Sequence, residues 1–222
     1  EKLAATGRMA ARIAHEINNP LGTIKTAFKL LSPAVPREYR HHHYLAKIEK
    51  EIDRIAGIVR QMLDLHQPLL EEQRAVRADY LIGDVLELIK PQGTQRGIAL
   101  QADLKQAQTR VRLQEHMLRQ ILYNIVLNAI EASPESGQVH VVAVVTSLCL
   151  EVRVSDQGPG IPSHIAEQIF EPFFTTKSRS LTGGMGLGLS ISKSLVEAMK
   201  GMLTFESENG KGTTCRIVIP LS

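Results

Sequence analysis

The sequence predicts an α+β protein in two parts. A helical hairpin built to pair into a dimeric four-helix bundle comes first, and an α/β sandwich with helices layered on a mixed sheet follows it. Three observations predict this. Apolar residues before position 67 recur in steps of three and four; the period changes after Gln67-Pro68; and beyond that point short alternating strands stand apart from amphipathic helices. The expected limits are 1–66 for the hairpin, 67–73 for a linker and 74–222 for the sandwich.

In the hairpin, Leu45, Ile48, Ile52, Ile55, Val59 and Met62 form a heptad seam along one long helix. Upstream, Ile13, Ile17, Leu21, Ile24, Phe28 and Leu31 form a second stripe with one extra four-step near Pro20. Proline removes an intrahelical hydrogen bond, so a bend is expected just after Asn19. Between the stripes, Ser32-Pro33-Ala34-Val35-Pro36 is a turn, because two prolines so close do not continue a helix. Two arms with a narrow apolar stripe each expose too much greasy surface alone, which implies a second copy and a four-helix bundle.

In the second part, Gly83 to Lys90 reads as helix, Ile98 to Leu104 as strand and Glu115 to Ser133 as a strong helix. Val139 to Thr146 and Cys149 to Ser155 alternate like an antiparallel pair turning at Ser147-Leu148. Leu187 to Met199 is helical again, and Met202 to Glu206 and Thr213 to Pro220 are strands. The grouping of strands is what points to one mixed sheet.

Composition removes several function classes. Apolar residues at 43% and charged residues at 22% describe an ordinary globular chain of 222 residues. Of the 26 basic and 23 acidic residues, 11 and 9 precede position 73, which leaves 15 and 14 after it. Neither part has the basic excess of a nucleic-acid binder, and with 4% aromatics and no Trp there is little to stack on bases. No run is long and apolar enough to cross a bilayer, so no membrane contact is expected from this stretch. Cys149 and Cys215 lie in strand-like runs, as unpaired thiols in a reducing cytoplasm do, although one disulfide stays open on sequence grounds. The chain starts without Met inside a helical pattern and reads as a piece of a longer protein.

Four stretches carry chemistry. His15 lies two residues from both Ile13 and Ile17, about 200° around the helix, so it faces solvent and shares its face with Asn19. An exposed neutral imidazole is a nucleophile, and Glu16 beside it can take a hydrogen bond from one ring nitrogen. A zinc-protease helix also begins His-Glu, but it needs a second His where Asn19 stands. His41, His42 and His43 point in three directions and cannot converge on one ion, so a solvated helix start is expected there.

Farther on, Asn124 and Asn128 are four apart on one helical face, with side-chain carbonyls of the hard type that Mg²⁺ takes; paired Asn on a helix also simply meet water. Asp156 ends a strand before Gly158 and Gly160, where a carboxylate can accept from an exocyclic amine and glycines let a flat ligand approach; Asp-x-Gly is also an ordinary turn. Gly184, Gly186 and Gly188 run into an amphipathic helix, so backbone N–H groups can cradle phosphates. Their spacing fits neither the dinucleotide fingerprint nor the P-loop.

Taken in order, these motifs resemble those of sensor histidine kinases over essentially the whole chain. His15-Glu16-Ile17-Asn18-Asn19-Pro20 resembles the H-box, which implies His15 as phosphoacceptor and Glu16 as its acid/base neighbour. The same resemblance implies that Asn19 positions water when such a kinase dephosphorylates its partner. Gln120 to Ala129 resembles the N-box, implying Asn128 as the firmer Mg²⁺ ligand and Asn124 as its helper. Asp156 to Gly160 is similar to the G1 box, with Asp156 on the adenine amino group. Ile169 to Lys177 looks like the F-box anchoring a lid over ATP, and Lys177 can approach the phosphates. Gly184 to Gly188 resembles the G2 box, with Met185 where Thr is more usual. Asn209 to Pro220 resembles the closing hairpin and receives no catalytic role.

The nucleotide half is shared with gyrase-type and chaperone ATPases; His15 on a dimerising hairpin separates this chain from them. What the resemblance implies is ATP and Mg²⁺ as cofactors, a homodimer, a response-regulator receiver domain as partner, and a hinge at Gln67 to Gln73. An ATPase without phosphotransfer and a scaffold with a degenerate nucleotide fold are the competing readings.

Overall fold

The computed structural model describes residues 17, 19–66, 72–176 and 186–221. They fall into two compact units, Glu1–Leu69 and Leu70–Ser222.

The first unit is a helical hairpin. Helix α1 covers residues 19–31, with Pro20 in its first described turn; residues 16 and 18, on which the expected bend depends, lie outside the described residues. Helix α2 spans His43–His66. The connection is longer than the predicted turn. A 3-10 turn at Ser32–Ala34 is followed by successive turns in which Tyr39 N–H donates to Pro36 O and His42 N–H to Tyr39 O. A Lys25–Asp53 ion pair ties the two helices together. Ile52 is buried, whereas Ile24, Leu31, Ile48 and Ile55 of the two stripes are 40–67% exposed within one chain. Val59 and Met62, the end of the predicted seam, lie outside the described side chains. His41 and His43 are exposed, their rings 5.7 Å from Tyr39 and 4.3 Å from Tyr44, and no group of metal-ligating residues occurs among the described residues.

In the second unit the elements are β1 (Arg74–Arg77), α3 (Ala78–Gln95), β2 (Ala99–Gln106), β3 (Arg110–Leu113), α4 (Glu115–Ala132), β4 (Gln138–Val145), β5 (Cys149–Ser155), α5 (Gly188–Ala198), β6 (Met202–Glu208) and β7 (Gly212–Pro220). Five strands form a sheet in the order β2-β4-β5-β7-β6. The β2–β4 pair is parallel and the others antiparallel, so the sheet is mixed as expected. Alternation sorts its faces: Val139, Val141, Leu150, Val152, Val154, Ile217 and Ile219 are buried. Against them pack Ile121, Leu122, Ile125 and Val126 of α4 and Ile191 and Leu195 of α5, each contributing roughly 1.5–3 kcal/mol on full burial. On the opposite face Glu151 accepts from both Arg153 and Arg216.

Two strands were not foreseen. The four-residue β1 and β3 pair with each other, Val76 opposite Val111, as a separate antiparallel ribbon. Helix α3 also starts five residues before the predicted Gly83, because its first N–H groups find partners outside the helix. Ala78 N–H donates to Thr109 O and Asp79 N–H to Ala107 O. It continues past Lys90 through Pro91, since loss of one hydrogen bond is outweighed by burial of Ile89 and Gly93. Both cysteines are free, Cys215 buried and Cys149 half-buried, and burial pushes the Cys215 thiol far above its ordinary range. No described helix is long and apolar enough to cross a membrane.

Candidate active site

Helix α4 is the spine of the site. Its apolar residues turn to the sheet, which leaves Asn124 and Asn128 one turn apart on another side. The first turn of α5 meets them there: a Cβ built at Gly188 would lie 3.7 Å from Asn128 Nδ2 and 3.8 Å from Asn124 Cβ. Asn124 Nδ2 donates to Gly188 O at 3.3 Å and approaches Ser192 Oγ at 3.4 Å. No side chain caps the α5 N-terminus, so its first N–H groups, which have no intrahelical acceptor, are presented beside two amides. Such a helix start carries partial positive charge and favours an anion.

At the C-terminal end of α4 stands the loop after β5. Gly158 is packed so tightly on the helix that an added Cβ would lie 2.7 Å from Ala132 O. Gly158 therefore sits two turns beyond Asn124, about 12 Å along the axis. Asp156 is held from both sides. Its Oδ1 accepts from Gly158 N–H at 2.8 Å and Thr213 N–H at 3.2 Å, while its own N–H donates to Thr213 O. No buried side-chain oxygen lacks a partner among the described residues, and none contacts Asp156 Oδ2, so that oxygen is reached by solvent. Burial raises the Asp156 carboxyl above its ordinary value, and the two N–H bonds act against that rise.

Gly160 takes a left-handed φ of 78°, and the loop is pinned to the β6–β7 turn by Gly210 N–H donating to Pro159 O at 2.7 Å and Ile161 N–H to Ser207 Oγ. Gly186, with φ 71°, supplies the carbonyl that accepts from Phe173 N–H at 3.0 Å. Phe170 packs on Phe205 at 5.5 Å, with Lys193 Nζ 4.8 Å from its ring.

Of the predicted residues, then, the fold gathers Asn124, Asn128 and Gly188 along the C-terminal half of α4, and Asp156, Gly158 and Gly160 at its C-terminal end. Gly186 closes a loop against Phe173. Asn19 is exposed on α1 in the first unit. His15, Glu16, Lys177 and Gly184 lie outside the described residues. Sequence reasoning missed Thr213, read as structural only, whose backbone clamps Asp156. It also missed Ser192, whose one signal was a Ser four residues after Gly188.

An α/β sandwich with paired asparagines on one helix, a glycine-flanked Asp at a strand end and a glycine-led helix defines the class of ATPases to which histidine kinases belong. The sequence agrees. Residues 113–222 match the histidine kinase-, DNA gyrase B-, and HSP90-like ATPase family, and residues 5–68 match the His Kinase A phospho-acceptor domain. Sensor histidine kinase ZraS of Escherichia coli (strain K12) is 33% identical over 222 residues, covering 100% of this chain and 47% of that protein. The structure of full-length ShkA in complex with AMPPNP superposes with a TM-score of 0.86 at 25% identity, over 97% of this chain and 46% of that one. The catalytic domain of histidine kinase ThkA is 32% identical, with a TM-score of 0.59, over 67% of this chain and 95% of that one. ThkA in complex with response regulator protein TrrA gives 0.69 at 29% identity, over 100% of this chain and 64% of that one. The chain belongs to the sensor histidine kinase family, of which it carries the phospho-acceptor hairpin and the ATPase-like unit. It spans about half the length of ZraS.

Proposed function

We propose that this chain is the catalytic core of a dimeric sensor histidine kinase of a two-component system. It phosphorylates its own His15 from ATP and passes the phosphoryl group to an Asp of a response-regulator receiver domain. Residues 1–66 serve as dimerisation and phosphotransfer hairpin, 67–73 as linker and 74–222 as the ATP-binding domain. The observation that carries the reading is the α4 spine, with phosphate-suited groups at Asn124, Asn128 and Gly188 and a solvent-facing Asp156 oxygen in the loop packed on Ala132, about two turns beyond Asn124 and one beyond Asn128. That spacing suits a nucleotide laid along the helix, purine at Asp156 and phosphates at the α5 N-terminus. The AMPPNP complex of ShkA supports ATP as the ligand class, and the ThkA complex supports a response regulator as the partner.

Asp156 Oδ2 accepts from the adenine amino group, while a guanine carbonyl there would face a carboxylate. Gly158 and Gly160 let the ring approach the backbone. Lys177, Gly184 and Gly186 belong to the loop that covers the phosphates. Among the described residues no cluster of three acidic, His or Cys ligands forms a complete metal cage. Two amide oxygens fit Mg²⁺ instead, an ion that is usually shared between one or two protein groups, water and substrate phosphates. Asn128 and Asn124 would hold it, and it would supply charge neutralisation at the phosphates.

A neutral His15 ring nitrogen attacks the γ-phosphorus; the new P–N bond forms as the bond to the β–γ bridging oxygen breaks, and ADP leaves. The proton on the other ring nitrogen is taken up by Glu16. Catalysis is mainly positioning. With the phosphoryl donor withdrawn, Asn19, on the same helical face, can hold water against the phosphorylated regulator and support dephosphorylation. The free thiols suit the cytoplasm.

Incubation with ATP labelled at the γ-phosphate tests this. The expected label is stable to base, lost in acid and absent from His15→Gln. Phosphate release without label on the protein would replace the kinase reading with an ATPase, and no nucleotide binding would leave a scaffold.

A further inference from the structure

Hydrogen-bond accounting around Asn124 leads past the two amide ligands to a residue behind them. Ser192 is wholly buried on α5, four residues after Gly188, and its hydroxyl donates back to Gly188 O at 2.9 Å. With its only proton committed there, Ser192 Oγ faces Asn124 as an acceptor, 3.4 Å from Nδ2. The second acceptor is Gly188 O, 3.3 Å from the same Nδ2. The two acceptors are 2.9 Å apart and lie on the same side of Nδ2, so the amide nitrogen is directed into the first turn of α5 with one N–H shared between them.

Turning that amide over would set Oδ1 against Gly188 O, and the Ser192 hydroxyl could meet it only by giving up its own bond to Gly188 O. The orientation is therefore one-sided, and Oδ1 is left facing away from α5. Among the described residues no donor meets Oδ1, and no buried side-chain oxygen lacks a partner, so Oδ1 is open to solvent.

We propose that Ser192 is a positioning residue: together with Gly188 O it locks the Asn124 amide so that its oxygen, not its nitrogen, is offered to the Mg²⁺ that accompanies the nucleotide. This rests on the reading of Asn124 and Asn128 as metal ligands. Groups behind a ligand that fix its orientation commonly govern metal affinity about tenfold or more. Here the group is a serine hydroxyl inside the glycine-led helix, which links the phosphate cradle to the metal ligand through one side chain.

The test separates metal from nucleotide. Affinity for a fluorescent ATP analogue is measured by titration in EDTA and again in saturating Mg²⁺, and Mn²⁺ bound in the presence of the analogue is counted by electron paramagnetic resonance. Ser192→Ala is expected to leave affinity in EDTA within about twofold and to weaken Mn²⁺ binding about tenfold. Ser192→Thr, which keeps the hydroxyl, is expected to restore it. Equal losses with and without metal, or unchanged Mn²⁺ binding in Ser192→Ala, would overturn the proposal. Should the alanine variant not fold, Ser192→Cys, close in size but a poor acceptor, is expected to show the same selective loss, and unchanged Mn²⁺ binding there overturns it equally. A wild-type protein that binds the analogue without any help from metal removes the metal-ligand reading itself, a result distinct from either outcome in the variants.

Discussion

Asp156 concentrates the electrostatics of the site in one side chain. Burial raises its carboxyl above the ordinary value of 3.8, although Gly158 and Thr213 N–H groups favour the charged form. A carboxyl raised in the folded state gives a stability contribution that is full below its unfolded pKa and lost as pH rises through the folded one. At neutral pH the half-buried charge is therefore a cost to the nucleotide-free protein. Asp156→Asn keeps an oxygen for both N–H donors and removes the charge, so its melting temperature in the absence of nucleotide should equal or exceed that of wild type at pH 7. ATP affinity should nonetheless fall about ten- to a hundredfold, the loss of one hydrogen bond to a charged acceptor, as read by calorimetric titration. In the wild type, affinity should decline on acidification from a higher pH than an ordinary carboxylate would set. The place of Asp156 at a strand end beside Gly158 was legible in the sequence; that Thr213, 57 residues away, clamps it was not.

At the scale of elements, the β1–α3 junction shows how tertiary partners set a boundary that local propensity does not. Arg77 donates to Asp79 through Nε and Nη2, and Asp79 is nearly buried in the first turn of α3. That hydrogen-bonded guanidinium holds the Asp79 carboxyl below its ordinary 3.8. A depressed carboxyl contributes stability above its unfolded pKa and loses it as pH falls through the folded one. Asp79→Asn should therefore lower the melting temperature at pH 7, and the gap to wild type should close on acidification below about pH 4. A gap that does not narrow as the pH falls into the acid range would assign the effect to packing. The long helices were readable because α4 and α5 repeat apolar residues at helical spacing. The β1–β3 ribbon was not, since four residues such as Arg74-Ala75-Val76-Arg77 carry too little pattern to stand out.

For the whole molecule the outstanding quantity is the apolar surface of the hairpin. Ile24 is 53%, Leu31 67%, Ile48 45% and Ile55 40% exposed in one chain, a stripe rather than scattered positions. In the proposed dimer a second copy covers it and completes the four-helix bundle. Light scattering behind size-exclusion chromatography should give a dimer for the wild type. Ile24→Glu with Ile48→Glu should shift it to monomer while nucleotide binding by the second unit persists. A monomeric wild type at micromolar concentration would remove the bundle.

Periodicity alone determined that this chain is a helical hairpin followed by a mixed α/β layer, because helix and strand spacings of 3.6 and 2 leave their imprint on every few residues. Glycine and asparagine placement alone pointed to the site, because backbone approach and hard-oxygen donation depend on residue type. Only the tertiary structure decided which groups serve them: Thr213 behind Asp156, Ser192 behind Asn124, Ala107 and Thr109 at the head of α3. Those partners lie 28 to 68 residues apart in the chain. A hydrogen bond at such separation is set by how helices stack on the sheet, and no local pattern records it.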